Sequence, residues 1–237
     1  MMIKKLVALS LTILIAPATF AVSALGEHTM AVAQSMSAFY MVSLSEGDTR
    51  YEKEFQSYAD IAEAKLANFK DKALADELNS EWYRLRRHLK YDYMGGAGLT
   101  VPNSVRLQYR DYLTKSYDHW QKQLEQEPLP VRQLEIANIK AEVISARYFD
   151  VSSTIQTKQD DKGLEAVNPT AEADELMTLF KRLSSVKGLP VDQKALSNVQ
   201  NKWTFMQKAL TNYRERGAYF LLYYNKNQIN KHLGNRS

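Results

Sequence analysis

The sequence predicts an all-α protein, an up-and-down helical bundle built as two tandem four-helix bundles. Three observations predict it. Apolar residues recur at three- and four-residue spacing through nearly every segment after the first 25 residues, and no stretch sustains the period-two alternation of a strand. The breaks between periodic segments carry helix stop and cap residues: Gly47-Asp48, Gly95-Gly96-Ala97-Gly98, Pro102-Asn103-Ser104, Pro128-Leu129-Pro130, Asn168-Pro169-Thr170 and Gly188-Leu189-Pro190.

Residues 1–21 read as a secretory leader. Lys4 and Lys5 precede the apolar run Leu6 to Ile15, and Pro17 and small residues lead to a cut after Ala21, with Ala18 and Ala24 as alternative cut positions. The apolar run is about half the roughly twenty residues a bilayer span needs, so cleavage is expected rather than anchoring. The mature chain would then begin at Val22 and work in the periplasm or outside the cell. The longest later apolar stretch is Ala218 to Tyr224, so no transmembrane segment is expected in it. Cysteine is absent, which removes disulfides and thiolate chemistry and leaves apolar burial to hold the core. The formal charge of +4 is halved when Lys4 and Lys5 leave, too balanced for a nucleic-acid partner.

Eight helices are expected in order, over 28–45, 49–69, 72–93, 104–126, 131–155, 170–187, 192–214 and 216–233. Asp71, Asn103 or Ser104, and Asp192 are suited to N-caps, where a side-chain oxygen accepts from free backbone N–H groups. The third and seventh helices share a pattern. Asp71, Trp82, Leu85 and Leu89 have the spacing of Asp192, Trp203, Met206 and Leu210. The first and fifth share another, Met36-Ser37-Ala38-Phe39-Tyr40 against Ile144-Ser145-Ala146-Arg147-Tyr148. These patterns suggest a duplication, with residues 22–127 as the first bundle and 131–237 as the second, the second lengthened by a polar insertion near 157–170. The boundary falls at Pro128-Leu129-Pro130, where two prolines favour an extended link.

Arg147 sits among Val143, Ile144, Tyr148 and Val151, and a permanently charged guanidinium beside an apolar face needs an anionic or carbonyl partner. A ligand carboxylate or other small anion would suit its forked donors; a snorkelling arginine, or a pair with Glu142 or Asp150, is the more ordinary way to satisfy it. Lys140 lies two turns earlier on the same side, and Ser145 is near in sequence but turned away. The basic and aromatic run Trp82 to Tyr91 does not form one patch on a helix. Leu78, Trp82, Leu85 and Leu89 make a buried stripe there, Arg86 flanks it, and Arg84, Arg87 and Tyr91 project elsewhere. The aromatics of the fourth helix, Tyr109, Tyr112, Tyr117 and Trp120, are expected in the core, and the run Tyr219 to Tyr224 is apolar all round its helix, suited to burial or to a partner surface. The histidines His28, His88, His119 and His232 are scattered without zinc or di-iron spacing, and the glycine run at 95–98 lacks the Lys-Ser or Lys-Thr of a phosphate loop. No catalytic residue, metal ligand or cofactor is expected.

The order of elements resembles the PilJ-type sensor domain of bacterial chemotaxis transducers and its relative in NarX-type nitrate-sensing kinases. That family carries a first-helix motif of the form R-Q-R-M-L-S-Q-R. Lys140-Ala141-Glu142-Val143-Ile144-Ser145-Ala146-Arg147 matches its Ser and final Arg and places Lys at its first Arg, while Val32 to Phe39 retains only the Ser. The resemblance implies a free-standing, extracytoplasmic sensor-like or binding module, with Arg147, Lys140 and Ser145 as its ligand-binding positions. The expected function is a binding or sensory accessory protein that recognises a small anionic ligand or a membrane-receptor partner. The alternative is a structural or protein-interaction module of the envelope that binds no small molecule.

Overall fold

The computed structural model describes residues 23–93, 98–124, 131–155, 170–186, 189, 191–210 and 219–234. The leader, the glycine run at 95–97, the Pro128–Pro130 link and most of the polar insertion lie outside the described residues. Within them the protein is an all-α bundle of eight helices: α1 (Ala24–Leu44), α2 (Thr49–Leu66), α3 (Lys72–His88), α4 (Asn103–Leu124), α5 (Val131–Ile155), α6 (Thr170–Leu183), α7 (Gln193–Leu210) and α8 (Tyr219–Gly234).

The packing is organised as two equivalent rings. Helix α1 packs on α2, α2 on α3, α3 on α4, and α4 returns to α1; α5, α6, α7 and α8 repeat the same cycle. The rings meet where α1 lies against α5, flanked by α4 on α5 and α8 on α1. Because α1 is covered on all sides, almost every residue from Leu25 to Leu44 is buried, as expected for a helix apolar around its whole circumference. The outer helices show the narrow stripe of an amphipathic helix instead. In α3 it is Ala75, Leu78, Trp82 and Leu85; in α7 it is Leu196, Val199, Trp203, Met206 and Leu210. The buried apolar residues of both rings form one continuous cluster.

The repeated patterns occupy equivalent places. Asp71 accepts from the Leu74 N–H at 3.1 Å and Asp192 from the Ala195 N–H at 2.6 Å, so both cap the third free donor of their helices. Trp82 and Trp203 are both fully buried. Ser37 donates to the Ala33 carbonyl at 2.9 Å and Ser145 to the Ala141 carbonyl at 2.6 Å, the same four-residue return on the two central helices.

Local chemistry moves several boundaries. Helix α1 starts at Ala24, ahead of the expected 28, because Ser23 caps it by accepting from the Gly26 N–H. It ends in a left-handed turn, with Glu46 at φ 59° and Gly47 at φ 95°, closed by the Gly47 N–H on the Val42 carbonyl at 2.8 Å. Asp48 then caps α2. Helix α4 begins at Asn103, with the Val105 and Arg106 N–H groups on the Pro102 carbonyl, so neither Asn103 nor Ser104 serves as the cap.

Helix α3 stops at His88 rather than 93. The chain enters a two-stranded antiparallel ladder, β1 (Asp92–Tyr93) against β2 (Leu99–Thr100), with Asp92 opposite Thr100. Tyr91, expected to project away from the core, stacks on Phe39 at 4.5 Å and donates its hydroxyl to the Phe39 carbonyl at 3.1 Å. That contact between ring and backbone of α1 competes with continuing the helix.

Candidate functional site

The three residues expected to bind a ligand are brought to one helix and then divided by their neighbours. Arg147 reaches across to α6, where its Nη1 donates to both Glu172 oxygens at 2.8 and 2.6 Å. Lys140 meets Glu175, one turn further along α6, at 3.1 Å. The two cations therefore share a side, as their spacing requires, and both are engaged in joining α5 to α6. Ser145 is fully buried, and its hydroxyl is committed to the Ala141 carbonyl. It turns away from both. Lys140 also lines a groove of about 430 Å³ with Asp174, Glu175, Thr178, Leu179 and Arg182, open to solvent between α5 and α6.

Neither partner considered for Arg147 from sequence is available to it. Glu142 receives Lys226 Nζ at 2.8 Å on one oxygen and Asn230 Nδ2 at 3.0 Å on the other, both from α8. The Lys226 ammonium also lies 4.9 Å from the Tyr223 ring centroid. Asp150 is held by two arginines of α4. Arg106 Nη1 donates to Asp150 Oδ1 at 2.9 Å, to its carbonyl at 2.8 Å and to Ser153 Oγ at 2.8 Å; Arg110 takes the other carboxylate oxygen. The carboxylates of Glu142 and Asp150 thus tie each ring's last helix to α5.

The phenols around these charges stay protonated. Burial pushes Tyr40 well above the usual phenol range, the Asp150 charge adds to that, and Arg106 and Arg110 act against it. Burial raises Tyr58 to about 12, reinforced by the negative charges of Glu142 and Glu54. Burial also raises Tyr223, whose hydroxyl donates to Glu54 on α2. At the other end of the first ring, His28 is enclosed, its Nδ1 2.7 Å from the Ala62 carbonyl and its Nε2 2.9 Å from the Tyr112 hydroxyl. Burial lowers its pKa to about 4, against the opposing pull of the Ala62 carbonyl. The ring is neutral at pH 7 and donates to Ala62 through Nδ1, so the single Tyr112 hydroxyl hydrogen is shared between His28 Nε2 and the Leu78 carbonyl, 3.1 Å from the phenol oxygen.

The outer surface carries a second candidate. The run Tyr219 to Tyr224 divides: Leu222 and Tyr223 enter the core, while Leu221 and Tyr224 remain 54% and 58% exposed. Phe205 of α7 is 45% exposed, and Lys202 of α7 places its Nζ 5.7 Å from the Tyr224 ring centroid, which joins the two helices into one face. Sequence periodicity located this run but left its burial open, since a helix apolar all round does not say which sides its neighbours cover. The corresponding hairpin of the first ring has a groove of about 390 Å³ lined by charged side chains, among them Glu81, Arg84, His88, Asp111 and Lys115.

The fold defines an all-α bundle of two topologically equivalent four-helix rings. No described protein family, no curated protein and no solved structure matched the chain.

Proposed function

We propose that the protein is an extracytoplasmic helical interaction module of the envelope that engages its partner through an outer helix face and performs no chemistry. The observation that carries this reading is the exposed aromatic and aliphatic surface of Phe205, Leu221 and Tyr224, side chains whose exposure costs free energy unless another surface covers them. The address rests on the leader-like order of Lys4, Lys5 and the apolar run to Ile15.

The test is a photoreactive residue at position 221, with a control at Leu107, which is also exposed but lies on α4. Irradiation in envelope preparations is expected to give adducts at position 221 and none at 107. Equal labelling at both positions would defeat the reading.

A second reading, recognition of a small anion, is favoured by the placing of Lys140 and Arg147 on one side of α5 beside an open groove. An anion there would have to displace Glu172 and Glu175. It predicts a rise in melting temperature with small anions or amino acids that Arg147→Ala abolishes, because a ligand specific to the native state stabilises it.

A further inference from the structure

We infer that the face formed by α7 and α8 docks on an anionic lipid surface. The inference rests on the interaction-module reading and names its partner. Helix α7 carries Lys194, Lys202 and Lys208, and α8 carries Lys226, Lys231 and His232; neither helix contains an aspartate or glutamate. Of these, Lys226 is spent inside on Glu142, and Lys194 and Lys231 are exposed.

The register places the apolar and basic groups together. Lys202 lies over the Tyr224 ring, so positions 202 and 224 stand side by side. Phe205 is one turn beyond Lys202 and Leu221 one turn before Tyr224, which in an antiparallel pair brings them to the same level. Lys194 and Lys231 sit further along, toward the opposite end of the hairpin. The result is an apolar group of Phe205, Leu221 and Tyr224 with Lys202 beside it and Lys194 and Lys231 about two turns away along the same hairpin, while the acids next to α7 are Asp192 at its cap and Asp174 of α6, which accepts from Gln207.

The equivalent hairpin of the first ring differs. Helices α3 and α4 mix Asp76, Glu77, Glu81, Asp111 and Asp118 among their basic residues, and Lys115 is bridged to Glu77 and Glu81 at 2.5 and 2.6 Å. Ring position alone therefore does not produce two helices without acids. A lipid headgroup layer offers negative charge along the whole hairpin and apolar depth beneath it, and a tyrosine ring suits the boundary between the two. Juxtamembrane lysines near such a surface are attracted by its negative potential.

The experiment is vesicle co-sedimentation of the purified chain lacking residues 1–21, with phosphatidylcholine vesicles against the same vesicles containing phosphatidylglycerol. Binding is expected only to the anionic vesicles and should weaken as salt rises. Lys202→Glu with Lys231→Glu should lower the partition by more than about tenfold, since each lysine contributes about fivefold near the surface. Leu221→Asn with Tyr224→Asn should lower it as well, with melting temperatures unchanged in both variants because these side chains lie outside the core.

Equal binding to both vesicle types would overturn the inference, as would retained binding in both folded variants. No vesicle binding alongside position-specific crosslinking to an envelope protein at residue 221 would overturn the lipid partner while leaving the interaction-module reading intact.

Discussion

Lys226 on α8 donates to Glu142 on α5 at 2.8 Å with 1% of each side chain exposed. A pair this deep makes each charge depend on the other, because burying either alone costs far more than burying both. Lys226→Met should destabilise the protein by about 3–5 kcal/mol. Adding Glu142→Met should restore all but about 1 kcal/mol, the remainder reflecting the lost Asn230 bond. Urea unfolding of the two variants and the parent checks this; a double variant no more stable than the single one would contradict it.

His28 makes stability fall in acid. Its folded pKa of about 4 lies below the ordinary imidazole value of 6.5, so the unfolded chain binds the proton more readily. The stabilisation is complete above the unfolded value and is lost as pH falls through the folded one, to a total of about 3 kcal/mol. Urea midpoints measured across that window should decline for the parent and decline less for His28→Phe.

The two buried tryptophans should respond differently to the same substitution. Trp203 Nε1 donates to the Ala173 carbonyl at 3.1 Å, whereas Trp82 Nε1 has no partner among the described residues. Phenylalanine leaves a space at either site, but only at 203 does it also remove a hydrogen bond. Trp203→Phe should therefore be the more destabilising, by about 1 kcal/mol, in thermal or chemical unfolding.

Gly47→Ala should cost about 1–2 kcal/mol, the penalty for an L side chain in left-handed backbone. Gly47 stands at φ 95°, and an added Cβ would lie 3.1 Å from Leu99 Cδ1. Gly234, whose added Cβ would meet only Asn230 Oδ1 at 3.6 Å, serves as the control and should tolerate alanine.

The Arg147–Glu172 pair should be weak despite its short distances. Glu172 is 40% exposed, and solvent screens such a pair. A double-mutant cycle on Arg147→Ala and Glu172→Ala should give a coupling below about 1 kcal/mol, reduced further by salt.

The sequence by itself determined the features that local chemistry controls. Asp71 and Asp192 cap their helices because the groups they satisfy lie three residues away, and Trp82 and Trp203 are buried because each falls on its helix's apolar stripe. The closeness of Lys140 and Arg147 on α5 follows from helical periodicity alone.

Tertiary structure decided what those groups meet. Glu142 and Asp150, the nearest acids to Arg147 along the chain, pair instead with Lys226 of α8 and with Arg106 and Arg110 of α4, so Arg147 turns to Glu172. Packing also ended α3 early by drawing Tyr91 onto Phe39, and it divided Tyr219–Tyr224 into buried and exposed halves. The physical reason is reach: caps and turns act over a few residues, whereas an ion pair or a covered face depends on which helices the whole chain brings side by side.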